Sequence, residues 1–202
     1  MKLRLNHFGP LLLAGTLAVS AAPALARTVE YLDDLAAIRA AADDQGIQGP
    51  FSDQPGPGTV RIALETPKAA DHRVIVASVY CQAYGIDNPV STLLQDLVRA
   101  SAPLAEDTPA LTLRILSSST VLRCFGKSDL EIKCKNRVRI TAEASFLQGD
   151  GKAVKMPLVA QVEREGRVGG FCGNIARYTG IVTREAGIDL IRQALKVSAG
   201  IV

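Results

Sequence analysis

Between residues 110 and 165 apolar and polar positions alternate with little interruption. Val138, Ile140, Ala142, Ala144 and Phe146 share one parity, and Val154, Met156, Leu158, Ala160 and Val162 form a second such set. A period of two over this length marks strands with one buried face. The pattern predicts strands at about 110–124, 131–147 and 153–165. Setting apolar against apolar on the last two requires partner numbers with an even sum, near 300, which places a three-residue turn at Gly149-Asp150-Gly151. The first of the three changes phase: Leu111, Leu113 and Ile115 have one parity, Leu122 and Cys124 the other. A bulge within Ser117-Ser118-Ser119-Thr120 reconciles them.

Upstream, Val60, Ile62 and Leu64 alternate as a first strand, and Arg73–Cys81 reads as a second, rich in β-branched residues. Asp87 or Asn88 then caps a helix with Pro89 in its first turn and Leu93, Leu94, Leu97 and Val98 on its apolar face. A closing helix is expected from about Gly173 to Val197, with Ile181, Ile188, Ile191 and Leu195 at helical spacing. Near the start, Thr28 caps a predicted helix over Val29–Ala42, with Glu30, Asp33 and Asp34 in the turns where the helix dipole favours acids. Gln45–Gly58, with Gly49-Pro50 and Pro55-Gly56-Pro57-Gly58, supports neither helix nor sheet and reads as a linker or exposed loop. These elements make an α/β fold of the α+β kind. It has a largely antiparallel sheet of about five strands with two helices on one face, in the order ββαβββα, plus an N-terminal helical arm.

Residues 1–26 stand apart. Lys2 and Arg4 precede an apolar run from Leu11 to Val19, and Ala24-Leu25-Ala26 gives the small-x-small pattern of a signal-peptide cleavage site. The stretch Leu11–Ala26 is short for a membrane anchor and is broken by Gly15, Ser20 and Pro23. The expected organisation is therefore 1–26 signal peptide, 27–58 N-terminal helix and Pro/Gly-rich linker, and 59–202 disulfide-stapled α/β domain. The product is a periplasmic or secreted protein with no stable membrane span.

Cleavage changes the charge. The chain has 202 residues, 23 Lys and Arg, and 20 Asp and Glu. Removing 26 residues leaves 202 − 26 = 176 and removes Lys2 and Arg4, so the balance falls from +3 to 21 − 20 = +1. A near-neutral chain does not suit nucleic acid as a partner. With 48% apolar residues, disorder is excluded. His7 leaves with the leader, so His72 is the one histidine of the mature chain.

Cys81, Cys124, Cys134 and Cys172 are even in number in an exported chain, so disulfides are expected. Strand and helix directions place all four at one end of the sheet. Cys124 and Cys134 flank the turn Gly126-Lys127-Ser128-Asp129, which favours a cross-strand bridge, with Cys81–Cys172 tying the sheet to the last helix. The other two pairings also join neighbours at that end. There is no C-x-x-C pair, so neither a zinc centre nor a redox dithiol is expected, and no cofactor is implied.

Lys133, Lys135, Arg137 and Arg139 alternate and so share a strand face. The register places Arg137 opposite Glu163 and Lys135 opposite Glu165, as cross-strand ion pairs. Excess positive charge is then left at the cysteine end, where Arg123, Phe125, Lys127, Lys133, Arg167 and Phe171 gather as the candidate ligand-binding residues. The glycine-rich run Gly166–Gly173 matches neither the dinucleotide fingerprint nor the P-loop, and reads as a turn that makes room for the Cys172 bridge. Catalytic residues are not identified: Ser117–Ser119 have no G-x-S-x-G context, and His72 reads as a turn residue.

The Val74–Tyr80 strand feeding the Leu93–Val98 helix, the LTLRI strand at 111–115 and the closing IDLIRQALKV helix at 188–197 have a familiar layout. Residues 60–197 resemble the small α/β modules of YajG-type periplasmic lipoproteins and of the auxiliary lipoproteins of envelope ABC transporters. The resemblance implies a module that binds other envelope components and does no chemistry. This chain departs from it by lacking the lipidation Cys and by its four cysteines. The expectation is an exported, non-enzymatic binding or accessory protein of the bacterial cell envelope, recognising an envelope protein or an anionic envelope ligand. A homo-oligomer is compatible with this layout. The alternatives are a small envelope hydrolase using His72 with a nearby acid, or a secreted inhibitor-like protein inserting the 45–58 loop.

Overall fold

The computed structural model describes residues 27–75, 85–102, 110–126, 132–147, 151–169 and 172–199. The leader 1–26, Cys81, Lys127, Phe171 and most of the predicted Arg73–Cys81 strand lie outside these residues. The described elements run β1 (Arg27–Thr28), α1 (Leu35–Asp44), β2 (Arg61–Glu65), a 3-10 turn (Pro67–Ala70), β3 (His72–Val74), β4 (Ile86–Asn88), α2 (Val90–Ala100), β5 (Ala110–Phe125), β6 (Ile132–Leu147), β7 (Ala153–Val168) and α3 (Cys172–Ala199). The fold is α+β.

The strands form two sheets rather than one of five. The larger has the order β2-β5-β6-β7, and a small one the order β1-β4-β3. β5, β6 and β7 are antiparallel, whereas β2 joins β5 in parallel and β1 joins β4 in parallel. Alternation specifies which side chains face inward but not which strand is the neighbour, so the second sheet leaves no trace in the pattern. The register of β6 and β7 follows the even-sum expectation, with Val138 opposite Val162 and Leu147 opposite Ala153.

The phase change in β5 also occurs, slightly earlier than expected. The shift lies between Ile115 and Ser117, so Leu116 is the extra residue and is 53% exposed. Below it Leu111, Leu113 and Ile115 are buried, and above it Leu122 and Cys124 turn to the same inner face. A bulge leaves a ladder group without its usual partner, and here Thr66 Oγ1 donates to the Ile115 carbonyl at 2.7 Å. Thr66 adopts φ +51, a left-handed backbone that ends β2 and opens the 3-10 turn.

Among the described residues, only one face of the larger sheet is covered. α3 packs across β6 and β7, while α2 packs against β2 and α3. The middle of α3, from Tyr178 to Ile188, is buried all round because the N-terminal arm covers its far side. Gly180 permits this approach: a Cβ there would sit 2.9 Å from the Glu30 carbonyl oxygen and 3.1 Å from Val29 Cγ1.

That contact also corrects the first helix. It begins at Leu35, not Val29, with Asp34 as its cap accepting from Ala36 N at 2.9 Å. Residues 27–31 are needed extended instead, to pair β1 with β4, to lay Val29 on Gly180, and to let the Tyr31 hydroxyl donate to Asn88 Oδ1. Tertiary contacts outweigh the local preference for helix. At α2 the expected cap is likewise replaced. Pro89 occupies the cap position without a side-chain bond, Asp87 pairs with Arg73 at 2.8 Å, and the Asp71 carboxylate accepts from Ser91 N and Ser91 Oγ, each at 2.8 Å.

Asn88 is 1% exposed and links three layers. It accepts from Tyr31 and donates through Nδ2 to Thr183 Oγ1 at 3.1 Å; Thr183 in turn donates to the Thr179 carbonyl at 2.8 Å. Burial, reinforced by the charge of Asp71, raises the Tyr31 pKa above the usual phenol range, so this donor stays protonated. Asn88→Ala leaves the half-buried Tyr31 hydroxyl and the buried Thr183 hydroxyl each short of a partner, and urea denaturation is expected to show a loss of about 2 kcal/mol.

Candidate functional site

The uncovered face of the larger sheet gathers most of the described candidate residues. Phe125, Lys133 and Arg167 lie side by side in one row across β5, β6 and β7, and Arg123, Lys135 and Glu165 form the next. Val121, Arg137 and Glu163 follow, then Ser119, Arg139 and Gln161. Alternation points all of them outward. The structure therefore brings Arg123, Phe125, Lys133 and Arg167 together, while Lys127 and Phe171 lie outside the described residues.

One of the two expected direct ion pairs forms, and the other is replaced by diagonal ones. Arg137 pairs with Glu163 at 2.6 Å as the register predicts, but Lys135 also reaches Glu163, at 2.7 Å, and Lys133 takes Glu165 at 2.5 Å. Lys133 faces Arg167 directly, so like charges turn it toward the diagonal acid. It is thus not part of an unpaired positive excess. Hydrogen bonds from Lys135 first and Arg137 second hold Glu163 below the usual carboxylate range. Arg123 and Arg139 have no acidic partner among the described residues. Phe125 is 71% exposed at the end of β5. Behind it the Cys124–Cys134 disulfide joins the two strands, as the spacing predicts. The expected Cys81–Cys172 bridge falls outside the described residues, because Cys81 and the Cys172 side chain are not among them.

Two clefts adjoin this region. One of about 410 Å³ lies between Gly46 and Gln48 of the arm and Lys133, Glu163, Arg164, Glu165, Gly166 and Arg167 of the sheet. Gly166 makes this junction possible. A Cβ there would meet Ile47 Cγ1 at 2.7 Å and the Gln45 carbonyl oxygen at 2.9 Å. The second, about 130 Å³, is lined by Val121, Arg123, Lys135, Arg137 and Glu163 on the open face itself.

His72 lies elsewhere, on the inner side of β5. Nε2 is 2.8 Å from Thr120 Oγ1, and Nδ1 is 3.0 Å from the Ala70 carbonyl and 2.8 Å from Ser118 Oγ. Ser118 Oγ donates to the same Ala70 carbonyl at 2.6 Å. With its proton spent there, Ser118 is not poised to give it to the ring. Asp71, the nearest acid in sequence, is committed to the start of α2. The arrangement suits a ring that fastens the 3-10 turn to β5. Nor does the Pro/Gly segment project from the body. Pro50, Ser52 and Asp53 are hydrogen-bonded to side chains of β7 and α3.

Charged residues on α3 were not singled out by the sequence. Arg184 and Glu185 have side chains only 3% and 4% exposed. Burial pushes the Arg184 guanidinium pKa down, opposed by Glu185. The sequence signal for their burial is Gly180 and Gly187, two small residues seven apart on that helix.

Among the described residues no group of three or more His, Cys, Asp or Glu could hold a metal, and no helix is long and apolar enough to cross a membrane. No protein-family description and no curated protein matches the chain. Among solved structures, the chain is similar to rare lipoprotein B from Shewanella oneidensis, with 13% identity and a TM-score of 0.35, covering 55% of this chain and 85% of that one. It is also similar to a minor lipoprotein from Acinetobacter baumannii, with 15% identity and a TM-score of 0.35, covering 75% and 95%.

Proposed function

We propose that this chain is an exported accessory protein of the bacterial cell envelope that acts by binding, through the disulfide end of its open sheet face. The leader-like segment 1–26 and the resemblance to YajG-type and transporter-auxiliary modules support the envelope setting. One observation carries the surface. Over the four rows from Phe125 to Ser119, Arg123 and Arg139 have no acidic partner among the described residues, beside a cluster in which Lys133, Lys135 and Arg137 share Glu163 and Glu165. Net positive charge on a rigid sheet face attracts an anionic partner and sets its orientation. Phe125 at the rim adds an apolar contact. The partner is an anionic envelope ligand or an acidic patch of an envelope protein.

The test uses the mature, oxidised chain and immobilised polyglutamate as the polyanion. Retention is expected to fall with added salt. Arg123→Glu with Arg139→Glu is expected to weaken binding at least tenfold without moving the thermal transition. Equal retention by the double variant would remove this surface from consideration.

A further inference from the structure

Residues 50–53 are held to the body by side chains that grip their main chain. Arg164 Nη2 on β7 donates to the Pro50 carbonyl at 3.0 Å. Glu185 accepts from Ser52 N at 3.0 and 3.2 Å, and Arg184 Nη1 donates to the Ser52 carbonyl at 3.0 Å. Arg192 Nη2 donates to the Asp53 carbonyl at 3.3 Å. Two further contacts read side chains: Arg192 Nη1 donates to Ser52 Oγ at 3.1 Å, and the Arg164 guanidinium lies 6.0 Å from the Phe51 ring centre.

This is the chemistry of peptide recognition. An N–H meets a carboxylate and three carbonyls meet guanidinium donors, all on two rigid elements. A segment needed only as a cover would be served as well by an apolar seat, since buried charges are commonly no more stabilising than hydrophobic replacements. Here the seat has spare donors even when covered: Nε and Nη2 of Arg184 and Nε of Arg164 are buried without an acceptor among the described residues. The covering segment itself buries little. Pro50, Asp53 and Gln54 are exposed, and Phe51 and Ser52 are half-buried. Its ends are fixed by buried Ile47 and Val60, with Pro55-Gly56-Pro57-Gly58 between the gripped residues and Val60.

We propose that Arg164, Arg184, Glu185 and Arg192 form a binding slot for an extended peptide of another protein, which the chain's own Phe51-Ser52-Asp53 fills in cis. The peptide carries an aromatic residue to lie against Arg164, a small hydroxylated residue for Arg192, and then an acidic one. The acidic preference follows from three guanidinium groups against the Glu185 carboxylate and the charge of Asp33, which leaves the slot positive, with the Asp53 charge also favouring the charged form of Arg184. The slot does not use the open sheet face, so it stands or falls independently of that surface.

The experiment uses the full mature chain and a fluorescent peptide copying Gln48–Gln54, followed by anisotropy. In the wild type the tethered copy competes at an effective concentration in the millimolar range, so binding is weak. Ser52→Pro removes the N–H that Glu185 accepts, and Phe51→Ala removes the ring beside Arg164 without touching the main chain. Each is expected to raise peptide affinity at least tenfold, and adding Arg192→Ala is expected to cancel the gain. If both covering variants keep the wild-type thermal transition yet bind the peptide no better than wild type, the slot is not a peptide site. If light scattering shows that they dimerise and still ignore the peptide, the seat serves a second copy of this chain and the proposal is overturned.

Discussion

Tyr178→Ala is expected to lower the unfolding free energy by about 3–5 kcal/mol, the range for removing a large buried ring. Tyr178 is fully buried, on the side of α3 that meets β6 and β7. Its hydroxyl donates to the Arg164 carbonyl at 2.6 Å and lies 3.0 Å from the Cys134 carbonyl. Alanine therefore opens a cavity and strips a donor from two strand carbonyls at once. Tyr178→Phe separates the two effects. It keeps the ring and loses the hydroxyl, for an expected loss of about 1–2 kcal/mol. Urea denaturation of both variants in the oxidised state measures the difference. A phenylalanine variant as unstable as the alanine one would show that the hydroxyl, not the packed ring, joins α3 to the sheet.

Gly180→Val is expected to cost about 3 kcal/mol, at the upper end of the usual overpacking range, because the added carbons meet main chain. The nearest atom to a Cβ at this site is the Glu30 carbonyl oxygen at 2.9 Å, on a segment fixed by β1 pairing and by Tyr31. The arm must move away, so trypsin cleavage at Arg39 is expected to accelerate along with the fall in stability. Gly187→Ala supplies the contrast. There the closest atoms are Leu97 Cδ1 at 2.8 Å and Leu93 Cδ2 at 3.2 Å, the far ends of side chains that can rotate. Its effect should be clearly smaller. Equal losses at the two glycines would contradict the fixed position of residues 29–30.

What could be read from the chain follows from what a period of two contains. It gave β5, β6 and β7 nearly to their ends, the β6–β7 register, the phase change in β5 and the Cys124–Cys134 pair. Each is a local or neighbouring-strand property. The parallel partnership of β2 with β5 and the separate β1-β4-β3 sheet depend on partner choice over long separations, which periodicity does not encode. The start of α1 was misread because Thr28 and Asp34 are both acceptable caps, and the extended course of Val29 and Tyr31 is dictated by residues some 60 to 150 positions away. The same limit applies to the candidate sites. Strand directions gathered Arg123, Phe125, Lys133 and Arg167 at the cysteine end, and the register sets them side by side. Arg184, Glu185 and Arg192 became visible only once the arm was seen to lie across them.

The extra residue at Leu116 makes β5 a strand with two reading frames. Residues up to Ile115 present odd positions inward, and those from Ser118 onward present even ones. Gaining or losing a single residue between the halves would force one half to show its apolar side to solvent. The Cys124–Cys134 bond decides which half yields, since it fixes the upper frame covalently against β6. The error would fall on Leu111, Leu113 and Ile115. The disulfide is therefore a punctuation mark for the sheet as well as a staple, and the length of the segment from Leu116 to Cys124 is as constrained as its composition.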